Sequence, residues 1–187
     1  MQLSGKNIEA AVLGYIDKMN FEGIATSNFR YILATPFSST YGIMILFACL
    51  MKSFPIVLLA GDFTLDMFYK TVQAHKVTHY EGGEFVVFLM EQMAGRPIPY
   101  DISSLKYFGF GGGKVSENTI RNLLIAYPEV AFFQGYGMTE TAPLIAKHRR
   151  TRLEKVASVG NAIKGMEIAI EADGVIVNTP HVKERLL

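Results

Sequence analysis

Apolar positions along this chain switch repeatedly between two spacings. Ile8, Val12, Ile16 and Met19 stand three or four residues apart, which lines them along one stripe of a helix over residues 6–19. A compact apolar run at 30–35 ends at Pro36 and predicts a strand. A polar turn at 37–42 leads into an apolar helix containing residues 43–51. Pro55 stops that helix, and 56–60 reads as a second strand. Its apolar character throughout is the pattern of a sheet covered on both faces. A turn at Gly61 and Asp62 precedes a helix capped by Thr64, with Leu65, Phe68, Tyr69 and Val72 on one face. Residues 77–80 predict a third strand, and 84–93 a helix closed by Gly95 and Pro97. Residues 106–110 predict a fourth strand running into Gly111, Gly112 and Gly113. Ser116 then caps a helix whose apolar face is Ile120, Leu123, Leu124 and Tyr127, and 130–133 predict a fifth strand.

This alternation predicts an α/β fold: a parallel-rich sheet with helices on both faces, joined by right-handed crossovers. Beyond Ala146 the rhythm changes. Residues 148–152 form a basic loop, read first as a solvated surface. Residues 166–170 and 175–177 then alternate around Ala172-Asp173-Gly174, a hairpin pattern. The expected organisation is an α/β core over 1–147 followed by a small antiparallel β lobe over 148–187.

Composition narrows the function classes. Half of the residues are apolar and 19% are charged, so a folded core is expected rather than disorder. A net charge of +1 gives no electrostatic reason to expect nucleic acid. No uninterrupted apolar run reaches the ~20 residues of a membrane span, so no integral membrane segment is expected. The first residues are mixed polar and carry no secretory signal, and the lone Cys49 sits in an apolar run. A cytoplasmic location fits both. His75 and His79 straddle a helix end and a strand, which reads as structural rather than metal-binding.

The chemistry concentrates in Gln134-Gly135-Tyr136-Gly137-Met138-Thr139-Glu140, where the chain leaves the fifth strand. The glycines let backbone approach a ligand closely. Tyr136 offers a flat apolar face with a polar tip, Thr139 a short donor, and Glu140 a hard oxygen ligand for Mg²⁺. Together they suit the base, phosphate and metal of a nucleotide. The alternative is a Gly-x-Gly turn that solves only a backbone problem. Gly111–Gly113 and Gly135–Gly137 both follow consecutive strands, at the carboxyl ends where α/β sheets bind ligands.

Residues 134–141 (QGYGMTET) resemble, without a gap, the signature of the adenylate-forming superfamily in the form used by acyl- and aryl-CoA synthetases. Further stretches resemble that family in order: Leu3-Ser4-Gly5-Lys6-Asn7, the turn at 36–42, the bend at 111–116, Val159-Gly160-Asn161-Ala162, Lys164-Gly165-Met166-Glu167, and the hairpin through Pro180-His181-Val182. The resemblance implies that Tyr136 stacks on adenine, Thr139 contacts the α-phosphate and Glu140 binds Mg²⁺. It implies that Gly111, Gly112, Gly113, Lys114, Gln134, Gly135, Gly137 and Met138 complete the nucleotide site. ATP, Mg²⁺ and CoA are the implied cofactors and second substrate; a small carboxylic acid and a CoA or carrier-protein thiol are the implied partners.

The resemblance also implies segments on either side of this chain: a phosphate loop before residue 1, a ribose-binding aspartate after Leu187, and a small C-terminal domain. An internal piece of an AMP-forming acid–thiol ligase is therefore expected, itself inactive, with a naturally reduced protein as the alternative. Exposed apolar surface is expected to favour homo-oligomers. Met138 favours CoA ligases over peptide-synthetase domains, and no aspartate stands at 36–42 to hold an amino group. Ser39, Thr40, Lys114, Glu81 and Glu84 depart from the family's usual residues. Phe37, Ser39, Tyr41, Phe85 and Phe110 are candidates for the acid pocket, with core packing the first reading for Phe85 and Phe110. Two other classes remain open, a nucleotide-binding or regulatory module without turnover and an interaction scaffold.

Overall fold

A computed structural model describes residues 2–19, 28–59, 63–172 and 174–178. The turn expected at Gly61 and Asp62, the hairpin residue Asp173 and the match at Pro180-His181-Val182 lie outside the described residues.

Seven strands build one sheet, and the apolar residues of its central strands alternate between two covered faces. In β1 (Tyr31–Leu33), Ile32 joins one core cluster while Tyr31 and Leu33 join another, as a two-residue side-chain period requires. The Ile32 side is covered by α3 (Leu65–His75), α4 (Phe85–Gln92) and α5 (Glu117–Ala126), through Phe68, Val72, Val87, Met90, Ile120 and Leu123. The other side is covered by α1 (Gly5–Met19) and α2 (Thr40–Lys52), through Ala11, Val12, Tyr15, Met44, Ile45 and Ala48. Helices therefore pack on both faces of the sheet. Thr64 and Ser116 cap α3 and α5 through hydrogen bonds from Met67 N and Thr119 N, as their sequence positions predict.

The sheet order is β2-β1-β3-β4-β5-β6-β7. The first five strands, with β2 at Ile56–Leu58, β3 at His79–Gly83, β4 at Tyr107–Gly111 and β5 at Ala131–Tyr136, are parallel. β6 (Ala146–Lys147) and β7 (Asn161–Ala162) add to the β5 edge antiparallel. β8 (Glu167–Glu171) and β9 (Gly174–Asn178) pair only with each other, forming the expected antiparallel hairpin.

Several sequence readings move. β2 is an outer strand, and Leu58 is 58% exposed rather than covered on both faces. α2 starts inside the expected turn, because Ser39 caps it and accepts from Gly42 N. β3 runs on through Gly82 and Gly83. β5 continues through Gln134, Gly135 and Tyr136, so three of the motif's seven residues are strand. Long-range pairing extends these strands: Gly82 and Gly83 pair with β4, and Gly135 and Tyr136 with β6. A glycine-rich string has low strand preference by itself, but pairing with a neighbouring strand overrides it.

Candidate functional site

Four parallel strands deliver their carboxyl ends to one side of the molecule. The strand order reverses direction between β1 and β3, the switch point where open α/β sheets leave a crevice. Two adjoining cavities occupy that side. Cavity 1, about 410 Å³, is lined by Gly112, Gly113, Lys114, Gln134, Gly135, Tyr136 and Gly137, and closed by Val156, Ala157 and Val159. Cavity 2, about 270 Å³, lies over Thr35, Gly82, Gly83 and Gly111 at the ends of β1, β3 and β4. Gly112, Gly135, Tyr136 and Gly137 line both. Tyr136 is thus the half-buried wall between two chambers. The first falls in the ~300–1,000 Å³ range usual for small-molecule sites, and the second just below it.

The structure brings together most of the residues singled out from sequence. The triple-glycine bend and the Gln134–Gly137 stretch face one cleft, and Lys114 lies along cavity 1. Met138 and Thr139 border cavity 2. Thr139, Glu140 and Thr141 form a short 3₁₀ turn, in which Thr141 donates from its hydroxyl to Met138 O at 2.9 Å. The Thr139 hydroxyl and the Glu140 carboxylate are exposed and make no hydrogen bond or ion pair among the described residues. Both are free to engage a ligand. Glu140 lines neither cavity; it stands one residue beyond the rim that Thr139 forms.

One expectation about the glycines changes. Their missing side chains do not leave space for a ligand; protein atoms fill it. A Cβ on Gly137 would collide with the Pro143 carbonyl, and one on Gly111 would lie 3.0 Å from Gly135 O. Cβ atoms on Gly112 and Gly113 would lie 2.9 and 2.6 Å from the Glu84 carboxylate oxygens. Gly137 and Gly111 are needed so that neighbouring backbone can close up, and Gly112 takes a φ of +101°. The clefts open beside this tight backbone, not within the slots the glycines vacate.

The pocket candidates divide. Ser39 and Tyr41 line cavity 2. Phe37 and Phe85 are exposed at 49% and 61%, and Phe110 is fully buried in the core, so these three line neither chamber. For Phe85 this overturns the core reading. Its helix turns Val86, Val87 and Met90 inward instead.

Beneath cavity 2 lies a polar cluster that sequence reading missed. Lys147 and Glu81 are 0% and 1% exposed and form an ion pair at 2.5 Å. Tyr15 donates to Glu81 Oε1 at 2.6 Å, Tyr41 donates to Glu81 Oε2, and Lys147 donates to the Tyr41 oxygen at 3.2 Å. The Lys147 ammonium lies 4.6 Å from the Phe133 ring centre and 5.3 Å from that of Tyr15, within cation–π range. Burial pushes the Lys147 pKa down while Glu81 pulls it back up. Burial, reinforced by the Glu81 charge, holds Tyr15, Tyr31 and Tyr41 well above the usual phenol range, so they stay protonated donors. Strand alternation could have flagged Glu81, which shares the α1/α2 side with His79; Lys147 sits in a two-residue strand too short to show a period.

The remaining polar candidates are structural. His79 stacks on Phe29 at 4.2 Å and on Tyr107 at 4.4 Å, and burial pushes its pKa down to about 3. It is a neutral core ring. Burial pushes the Cys49 thiol up to about 12, which makes it inert. In the basic loop, Arg149 and Arg150 are exposed, and Arg149 donates to Lys18 O. Among the described residues no three His, Cys, Asp or Glu side chains gather as a metal cage, and no helix is long and apolar enough to cross a membrane.

The sequence model of the family described as AMP-binding enzyme matches residues 1–181. A 4-coumarate–CoA ligase-like protein of Arabidopsis thaliana is 26% identical over 156 residues, covering 82% of this chain and 26% of that protein. A 4-coumarate–CoA ligase-like protein of Oryza sativa subsp. japonica is 28% identical over 143 residues, covering 75% of this chain and 24% of its own. The chain spans about a quarter of the length of these relatives. Among solved structures, O-succinylbenzoate CoA synthetase of Bacillus subtilis, in complex with ATP and magnesium ion, superposes with a TM-score of 0.80 at 22% identity, over 98% of this chain and 39% of that one. A long-chain-fatty-acid–CoA ligase of Archaeoglobus fulgidus superposes with a TM-score of 0.81 at 18% identity, over 96% of this chain and 39% of that one.

Proposed function

Because the chain belongs to the AMP-binding enzyme family, we propose that it carries the adenine, α-phosphate and acid-binding part of an AMP-forming carboxylic acid–CoA ligase. The observation that carries this reading is the shared wall. Tyr136 separates two chambers of different size, and the uncommitted Thr139 hydroxyl stands on the rim of the smaller one. Such a layout suits two substrates that must meet at one phosphorus atom.

Cavity 1 takes the nucleoside, with the Tyr136 ring against adenine and the Lys114 stem along its edge. Cavity 2 takes the acid, so that its carboxylate points at the α-phosphate across the Tyr136–Gly137 boundary. The Thr139 hydroxyl donates to an α-phosphate oxygen as charge builds there. Glu140 holds Mg²⁺, whose charge offsets that of the phosphoryl oxygens. The chain's own contribution is positioning and preorganised polarity rather than covalent chemistry. A thiol then displaces AMP from the acyl-adenylate; CoA is the acceptor suggested by the relatives' names.

Calorimetric titration of the chain with AMP tests the reading. Saturable binding is expected, and Tyr136→Ala is expected to weaken it by roughly tenfold or more, the scale of one base–aromatic stack. Binding that is indifferent to Tyr136→Ala would overturn the assignment of cavity 1. In the protein as expressed in its own organism, acid-dependent pyrophosphate release is expected to fall by about 10²–10³ on Thr139→Ala, as for other transition-state donors.

A further inference from the structure

Glu84 is the one charged side chain lining cavity 2 among the described residues. Its oxygens lie against the triple-glycine bend, 2.9 and 2.6 Å from the Cβ positions of Gly112 and Gly113. The residue is half-buried, yet its carboxylate makes no hydrogen bond or ion pair among the described residues. It caps α4 in position only, since its side chain accepts nothing from that helix.

Three other polar groups of this chamber are already committed. Tyr41 donates to Glu81, Thr35 donates to the Glu81 carbonyl at 3.4 Å, and the Ser39 oxygen accepts from Gly42 N at 3.2 Å. Lys147 could not neutralise Glu84, because it is spent on Glu81 beneath the floor. The chamber therefore presents one uncompensated negative charge on a wall otherwise made of hydroxyls, glycines, Met138, Pro143 and Leu144. A partly desolvated carboxylate gains most from a donor that arrives with the ligand, and a charge-assisted bond is about twice as strong as a neutral one.

We propose that cavity 2 selects a small carboxylic acid that carries a second, hydrogen-bond-donating group, a protonated amine or a hydroxyl, which Glu84 receives. Glu84 accordingly disfavours plain hydrocarbon acids and repels diacids. The volume of 270 Å³ limits the acid to a compact one. This rests on the reading of cavity 2 as the acid chamber, and it assigns that chamber a substrate class.

The test uses the full chain and four acids of one shape: para-toluic, para-hydroxymethylbenzoic, para-aminomethylbenzoic and terephthalic acid. Their affinities are measured by ligand-observed NMR, with and without AMP. The aminomethyl acid is expected to bind about tenfold tighter than the toluic acid, a modest preference because Glu84 is only half-buried. The hydroxymethyl acid is expected to fall between them, and terephthalate last. Glu84→Gln should erase the advantage of the amine, and Glu84→Lys should move terephthalate to first place. An order unmoved by both variants overturns the proposal, as does the absence of binding by any of the four at millimolar concentration. The nucleotide reading is scored separately, by AMP titration without acid. A chain that sorts these acids through Glu84 but ignores AMP keeps this inference and sinks the other; one that binds AMP but does not sort acids does the reverse.

Discussion

At Lys147 the chain puts a full positive charge where no solvent reaches. A buried ammonium survives only if paired and hydrogen-bonded. Glu81 of β3 and the Tyr41 oxygen of α2 meet that need, and Tyr15 of α1 donates its hydroxyl to the same Glu81 carboxylate. The consequence at the site is that Tyr41, a wall of cavity 2, is held from behind. Removing one partner exposes the cost. Glu81→Leu is expected to destabilise the fold by about 3–5 kcal/mol, because Lys147 is left buried and unpaired. The double variant Glu81→Leu/Lys147→Met is expected to recover a large part of that loss, since an apolar pair of similar volume needs no counter-charge. Urea unfolding of the single and double variants measures both; a double variant no more stable than the single one would refute the ion-pair account. Nothing local in the sequence announces this pair. The two residues stand 66 positions apart, and a lysine beside a basic loop reads as surface.

At the scale of elements, β5 and the bend after it decide the geometry of the site. The apolar run at 130–133 is legible as a strand, and its buried residues follow from that. Its continuation through Gln134, Gly135 and Tyr136 is legible only once β4 and β6 lie on either side. That continuation aims Tyr136 between the two chambers. Gly137 then lets the chain turn back beside Pro143. Gly137→Ala is expected to cost about 1–3 kcal/mol, as overpacking of a closed site does. Gly5→Ala is the contrast. A Cβ there meets nothing within 4 Å, and Gly5 lies in the first turn of α1, so stabilisation by about 0.5–1 kcal/mol is expected. Thermal unfolding of the two variants should move in opposite directions.

At the scale of the whole molecule, β2 and β7 are the two margins of the main sheet among the described residues, and the β2 side carries the apolar surface. Next to β2, α2 leaves Phe47, Leu50 and Met51 exposed at 44%, 59% and 56%, on one helical face. Apolar surface of this kind, beside an unpaired strand edge, favours association. Sedimentation of the chain is expected to show mass rising with concentration, and Leu50→Lys to suppress it; a monomer at every concentration would contradict this.

Two kinds of information built this protein. The sequence by itself determined the alternation of helix and strand, the caps at Thr64 and Ser116, and the order of the glycine bends, because each depends on spacing or on side chains within a few residues. Only the tertiary structure decided that β2 is an edge, that Glu81 and Lys147 meet, and that Glu84 faces a chamber without a partner. Those outcomes depend on which strands become neighbours. Burial and charge pairing are properties of neighbours in space, and a linear pattern does not contain them.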